Sequence, residues 1–570
     1  MFYMTDRDYD VVVVGSGAAG MTAALTAAHR GLRTVLIEKA AHYGGSTARS
    51  GGGVWIPGNK ALRASGRPDD REDARTYLYN IIGDVVPKEK IDTYIDRGAE
   101  AFDFVLDNTP LQMKWVPGYS DYYPEAPGGR AEGRSCEPKP FNLKILGEER
   151  RNLEPPYSKA PLNVVVMQAD YKKLNLMRRH PIGFATVLRV GARWAWGKVS
   201  GKELVGMGRA IIAGMRKGLQ DANVPVLLNT PLTGLVIENG VVTGVEAEQN
   251  GETVRFTAKH GVILASGGFE RNADMRHKYQ REPITADWTT GALANTGDGI
   301  RAGIDAGAAL DFMEDAWWGP TTFQGPGRTW FCLAERNLPG SIMINEQGRR
   351  FGNESAPYVE AVHTMYGGEY GQGEGPGENV PCWLVFDQRY RSRYIFAGLQ
   401  PGQRIPSRWM ENDLIVIAPT LAELAEKIGV PADNLAATVN RFNGFAETGK
   451  DEDYGRGDSA YDRYYGDPTI KPNPCLNKLE VGPYYAVKMV PGDLGTKGGL
   501  VTDTTARVLR EDGSVIEGLY AAGNTSAPVM GHTYAGPGAT IGPAITFGYL
   551  AALDIAAKAE TAGPAEQKAS

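Results

Sequence analysis

A short unbroken run of β-branched residues opens the pattern. Residues 9–14 (YDVVVV) predict a strand covered on both faces, because no polar position interrupts it. Small and apolar residues from Ala18 to Arg30 predict a helix, and Gly31 suits its C-terminal cap. Thr34 to Glu38 (TVLIE) predicts a second strand, so the chain begins on a β-α-β unit. Residues 225–268 predict two or three β-segments: PVLLNT, then LVIENGVVTGVEAE folded back at Asn239-Gly240, then GVILASGG. Residues 516–523 predict a late strand and Ala544 to Ala557 a closing helix, followed by a frayed tail (ETAGPAEQKAS). From about 306 to 489 the pattern changes, with frequent Trp, Tyr and Pro. The expected fold is α/β: a Rossmann-like domain from 1–305 and 490–570, with an α+β domain inserted at 306–489.

Composition narrows the partners. A chain of 570 residues, 42% hydrophobic, buries a sizeable core, and a net charge of −6 counts against nucleic acid as a partner. The four cysteines, Cys136, Cys332, Cys382 and Cys475, form no CxxC pair and read as reduced thiols. The seven histidines lack metal-ligand spacing, so no metal is expected. The N-terminus shows no basic region followed by an apolar stretch, and the uncharged run Met530–Leu553 is broken by Gly536, Pro537, Gly538, Gly542 and Pro543. A cytoplasmic location is the expectation. One segment qualifies it. Residues 171–202 hold eight Lys and Arg and no acid, with Phe184, Trp194 and Trp196 interleaved. This reads either as a patch that docks on the inner face of the cell membrane or as a solvated basic excursion.

The chemistry starts at the first turn. Gly15-Ser16-Gly17-Ala18-Ala19-Gly20 follows a strand, opens a helix, and precedes an acid, Glu38, with Lys39 beside it, at the end of the next strand. In that context the glycines allow a tight turn and close approach of a pyrophosphate, which faces free N–H groups at the helix N-terminus. Glu38 is placed to accept from ribose hydroxyls. A second glycine-rich loop follows, in which Gly45, Ser46, Thr47, Ser50, Gly51 and Gly52 suit close packing against a flavin. Further expected cofactor contacts are Gly267, Gly523, Asn524, Gly538 and Ile541.

These segments, with GVILASGGFERN (261–272) and GLYAAGN (518–524), resemble the fumarate reductase and succinate dehydrogenase flavoprotein superfamily. The resemblance implies FAD. Covalent members carry a histidine near the second loop; here Gly45 stands at the approximate position and His42 lies three residues earlier, so non-covalent FAD is expected. Pro543 suits the first turn of the closing helix, whose positive end would face the isoalloxazine.

The arginines that a dicarboxylate site needs are not evident near the candidate tyrosines. Three segments instead resemble 3-ketosteroid Δ1-dehydrogenases: GYSDYYPEAPGGR (118–130), the loop Asn345–Ser355 with Tyr358 beyond it, and MGHTYAGPGATIGP (530–543). The likeness extends over nearly the whole chain. It implies that the Tyr534 hydroxyl and the Gly538 N–H hold the C3 oxygen of a 3-ketosteroid, that Tyr358 takes the C2 proton, and that hydride leaves C1 for the flavin N5. Tyr122 would donate to Tyr358 and ease its ionisation, with Tyr123 an alternative. With no second nucleotide fingerprint, a quinone is the expected electron acceptor. Rival readings are a 3-ketosteroid Δ4-(5α)-dehydrogenase, a fumarate reductase-like flavoprotein and a non-enzymatic FAD-binding protein.

Overall fold

The computed structural model describes residues 7–562 apart from 68, 158–160, 326 and 327; the expected tail lies outside the described residues from 563 onward. The first strand, Asp8–Val14, explains the architecture around it. Side chains alternate across a strand, and here both faces are covered. Val11 and Val13 enter one apolar cluster with the helix that follows, whereas Val12 and Val14 enter a second cluster with Phe256 and Ile300. Each fully buried valine stabilises by about 1.5–3 kcal/mol, so an uninterrupted apolar run is what this position requires.

The strand lies between Thr34–Ile37 and Glu252–Leu264, parallel to both, with Val12 opposite Val35 and Val262. Val226–Leu227 extends the sheet on one side, and Val515–Ala521 then antiparallel Arg507–Leu509 on the other. The predicted segment PVLLNT shrinks to those two paired residues at the sheet edge. The segment ending in GVIL instead lengthens to 13 residues, because its first half pairs with the hairpin Leu232–Glu238 and Val241–Gln249. Asn239 (φ 52°) and Gly240 (φ 81°) supply the two left-handed residues of that hairpin's turn. The helices Ala18–His29 and Ile541–Ala562 share the first apolar cluster; the second begins three residues before the expected Ala544, with Pro543 in its first turn.

A six-stranded antiparallel sheet forms the other large unit. Tyr484–Thr496 runs through its middle, paired with Ala316–Phe323, Cys382–Asp387 and Ile415–Ala418, while Thr329–Phe331 and Ser341–Ile344 complete the edges. This strand crosses position 490, so it carries the chain from the inserted segment towards the first unit. The helix Tyr358–Tyr366 joins the cluster that holds Trp317 and Trp318 of Ala316–Phe323.

The basic run folds as two helices, Gln168–Leu174 and Pro181–Val199. Asp170, one residue before the run, accepts from Arg189 (2.5 Å) and Arg193 (2.9 Å), so part of the basic charge is neutralised internally. Trp194 turns its Nε1 to the Leu162 carbonyl. Phe184, Leu188, Trp196 and Val199 remain 58–86% exposed. No helix among the described residues is long and apolar enough to cross a membrane. All four cysteines are free and buried.

Candidate active site

Gly15 leaves the first strand at φ 104°, where a Cβ would sit 2.3 Å from the Ala265 oxygen. A Cβ on Gly20 would sit 1.9 Å from the Gly15 oxygen, so the helix lies directly on the turn. Gly17 and Gly45 differ: an added Cβ meets only Thr47 Oγ1 at 3.6 Å in the first case and nothing within 4 Å in the second. Crowded glycines therefore shape the turn while the other two face open space at a helix N-terminus, which suits a pyrophosphate. Ala18 N donates to Thr47 Oγ1 (3.2 Å), joining the two glycine loops, and Ala19 lies 3.2 Å from where a Gly523 Cβ would be.

Glu38 is buried. Its Oε2 accepts from Ser16 N (2.9 Å) and Ser16 Oγ (2.5 Å), and its Oε1 from Ala40 N (2.8 Å). Burial raises its pKa against those bonds. Oε1, with one bond made, keeps acceptor capacity for a ribose hydroxyl. The Lys39 amine turns away to Thr296 and Asp298. Ser46 Oγ accepts from Ala292 N and Asn295 Nδ2, and the Asn295 side chain fills the space a Gly267 Cβ would need. Ser50 Oγ donates to the Thr47 carbonyl and accepts from Gly52 N, while a Cβ on Gly51 would lie 3.9 Å from the Gln168 side chain. Asn524 Oδ1 accepts from Trp317 Nε1 (3.1 Å), and Ile541 begins the closing helix. The open helix N-terminus and the acid beyond it fit FAD.

The three tyrosines come together. Ring centroids are 5.4 Å apart for Tyr122 and Tyr358, 5.2 Å for Tyr122 and Tyr534, and 5.5 Å for Tyr358 and Tyr534. They arrive on a loop, on the first residue of helix Tyr358–Tyr366 and on the loop before the closing helix. The Tyr534 hydroxyl lies 3.3 Å from Thr540 Oγ1, and Gly538 stands between these two residues on the same loop. Gly538 (φ 99°) also rests against the second glycine loop: its Cβ would lie 2.3 Å from the Gly53 carbonyl, and its oxygen accepts from Trp55 N. The tyrosine cluster is thus tied to the second glycine loop by main chain.

Burial pushes the phenols up, Tyr122 and Tyr358 well above 10; Tyr119 and Tyr358 raise Tyr122 further, and Tyr534 and Tyr119 raise Tyr358. The Tyr122 hydroxyl opposes this at Tyr358 by hydrogen bonding to it. Tyr123 stands apart: its hydroxyl donates to Glu360 Oε1 (2.6 Å). His532 Nδ1 pairs with Asp315 Oδ2 (3.0 Å), which also accepts from the buried Lys497 (2.9 Å).

Sequence reasoning missed several neighbours. Tyr461 packs on Tyr122 (4.8 Å), Phe331 on Tyr358 (5.1 Å) and Trp317 on Tyr534 (5.1 Å). Tyr119 stacks on Tyr464 and shares a 2.8 Å hydrogen bond with Tyr465. Tyr119 lies within the segment already singled out. Phe331 and Tyr461 carry no local signal, because only the fold brings them near. The buried Arg336 guanidinium also interacts electrostatically with Tyr461 and, more weakly, with Tyr122.

Residues 10–541 match the FAD binding domain family. The chain is 66% identical over 564 residues to the 3-oxosteroid 1-dehydrogenase of Mycolicibacterium smegmatis, covering 98% of this chain and 99% of the relative. It is 34% identical to 4-oxocyclohexanecarboxylate 2-dehydrogenase of Sinomonas cyclohexanicum, covering 97% and 93%. Among solved structures, 3-ketosteroid Δ1-dehydrogenase from Sterolibacterium denitrificans in complex with 1,4-androstadiene-3,17-dione superposes with a TM-score of 0.91 at 40% identity, covering 97% of this chain and 100% of that one. With the glycine loops and the clustered phenols in place, these matches show that the chain belongs to the 3-oxosteroid 1-dehydrogenase family of FAD-binding flavoproteins.

Proposed function

We propose that the protein removes hydrogens from C1 and C2 of a 3-ketosteroid, such as androst-4-ene-3,17-dione, with non-covalent FAD as the immediate acceptor. The observation that carries this reading is the mutual packing of the Tyr122, Tyr358 and Tyr534 rings, with Gly538, on the loop of Tyr534, resting against Gly53 of the second glycine loop. Bound FAD supplies the hydride acceptor. The Tyr534 hydroxyl and the Gly538 N–H hold the C3 oxygen as negative charge grows on it. Tyr358 takes the C2 proton, and Tyr122 supports the ionised form of Tyr358 by donating to it. The neighbouring aromatic rings give a neutral, flat substrate an apolar wall. On this reading Tyr122 and Tyr534 come from the FAD-binding part (1–305 and 490–570) and Tyr358 from the inserted part (306–489), so the steroid lies between the two.

Anaerobic mixing with androst-4-ene-3,17-dione tests it. The flavin absorbance is expected to bleach and the product to be the 1,4-diene. A double bond formed at C4–C5 of a saturated substrate would favour the Δ4 rival, and no bleaching by any 3-ketosteroid would reject both. Acid precipitation is expected to release the flavin into the supernatant.

A quinone is the proposed acceptor for the reduced cofactor. The exposed face of helix Pro181–Val199 is proposed to dock on an anionic bilayer. Phe184, Leu188 and Trp196 reach outward while Arg178, Arg179, Lys198 and Lys202 flank them, which is the chemistry of an interfacial helix.

A further inference from the structure

Arg336 lies in the short helix Ala334–Asn337 and is 0% exposed. Its Nη1 donates to the carbonyl oxygens of Glu354 (2.5 Å) and Ala356 (2.7 Å), on the approach to Tyr358. Its Nε and Nη2 have no hydrogen-bond partner. Other buried arginines nearby are neutralised: Arg350 pairs with Glu354 and Asp451, and Arg456 with Glu354. Arg336 has no carboxylate within 4.0 Å among the described residues. A buried cation left without a counter-ion destabilises the fold, and such groups concentrate where charge has a task.

The groups that face it define that task. Tyr461, Cys332, Asp462 and Tyr122 interact with the guanidinium. The Asp462 carboxylate is held by Asn353 and Gly457 N, and burial raises its pKa, as it does for the Cys332 thiol. Glu335, next in sequence, turns to Trp330 Nε1 and Ala397 N. Tyr461, whose hydroxyl also lacks a hydrogen-bond partner, packs on Tyr122, and Tyr122 on Tyr358. Tyr358 itself meets Tyr534, Tyr119 and Tyr122, while Glu360 on its own helix engages Tyr123 and His363.

We propose that Arg336 is a positioning residue: it clamps the backbone leading into Tyr358 and supplies the positive charge that favours the ionised form of the Tyr122–Tyr358 pair. The proposal rests on Tyr358 being the base. Burial, Tyr534 and Tyr119 push Tyr358 the wrong way for proton abstraction near neutral pH, and Tyr122 opposes them; a positive charge that reaches Tyr122 acts in the same sense as Tyr122 does. The N-terminal end of helix Tyr358–Tyr366 adds positive potential of the same sign.

The test is the pH profile of anaerobic flavin reduction by androst-4-ene-3,17-dione in holoenzyme. Citrulline placed at position 336 by stop-codon suppression removes the charge and keeps the shape and the donors to Glu354 and Ala356. It is expected to move the acid limb to higher pH by about one unit, making turnover about tenfold slower near neutral pH while the alkaline plateau stays near wild type. Arg336→Lys keeps the charge and loses the clamp, so its limb stays in place and its plateau falls. A citrulline variant that loads FAD with an unmoved limb overturns the proposal. If that variant loads no FAD, Arg336→Lys decides: a limb in place with a lowered plateau supports the proposal, and a displaced limb overturns it. A third arm, 3-fluorotyrosine at 358, separates the two claims. The limb should move to lower pH with the more acidic phenol; if it does not, Tyr358 is not the base, and the proposal falls with that reading.

Discussion

At the scale of the residue, a phenol buried among phenols is a poor base, and what surrounds Tyr358 decides whether it can act as one. Tyr122 donates towards it, whereas Tyr534 and Tyr119 resist its ionisation. Tyr358→Phe is expected to reduce flavin-reduction rates more severely than loss of a single carbonyl donor, with FAD content unchanged. Tyr534→Phe removes one of two donors to the developing oxyanion and is expected to cost about 10²–10³-fold, read by stopped-flow absorbance. Near-normal rates in either variant would remove that residue from the mechanism. Tyr123→Phe is expected to cost far less, since its hydroxyl serves Glu360. The tyrosines were legible because they sit in recognisable segments. Tyr122 and Tyr123 were not separable in sequence, since adjacent residues on an irregular loop have no periodicity to assign them a side. Arg336 was invisible for another reason: it stands 22 positions before Tyr358 in a segment without a motif, and only the fold leaves it without a counter-ion.

At the scale of the element, the glycine turns were the most legible parts, because a left-handed or crowded backbone admits few other residues. Gly15→Ala is expected to abolish FAD loading, since the new Cβ would overlap the Ala265 carbonyl at a φ of 104°. Flavin-to-protein absorbance of the purified variant checks this. Edge elements were less legible. PVLLNT has the composition of a strand, but only Val226 and Leu227 find a partner, and propensity alone does not supply one. The loop after strand Glu252–Leu264 holds a pH-sensitive group. Glu270, fully buried, is raised to about 7 by burial first and by Asp493 second. Its folded pKa lies above its unfolded value, so the stability it contributes is complete below about 4.5 and is lost as pH rises through about 7. Glu270→Gln is expected to flatten that part of the melting-temperature profile and to stabilise by up to about 3 kcal/mol above pH 7. An unchanged profile would show that Glu270 titrates normally.

At the scale of the whole molecule, one site is assembled from parts far apart in the chain. The long strand Tyr484–Thr496 belongs to the inserted sheet yet leads back to the first unit, so the boundary expected at 490 falls inside an element. A change in composition marks the inserted region but does not locate the hydrogen bonds that cross it. The same limit applies to the basic run, where Asp170 neutralises two arginines while Phe184, Leu188, Trp196 and Val199 stand exposed beside Arg178, Arg179, Lys198 and Lys202. The membrane reading therefore rests on burial of apolar area as well as on charge. Replacing Phe184 and Leu188 with Glu is expected to release protein from anionic liposomes while anaerobic turnover with dissolved steroid stays unchanged. Wild-type protein that fails to sediment with such liposomes would end that reading.

The account turns on a 3-ketosteroid giving up hydride from C1 while Tyr358 draws the proton from C2. Anaerobic single-turnover mixing with androst-4-ene-3,17-dione, unlabelled or deuterated at C1, measures this directly. The flavin is expected to bleach fully, more slowly with the label, and a substrate carrying two deuteriums at C1 is expected to yield a 1,4-diene that keeps one of them. Bleaching that is absent, or that leaves the C1 label wholly in the product, would contradict it.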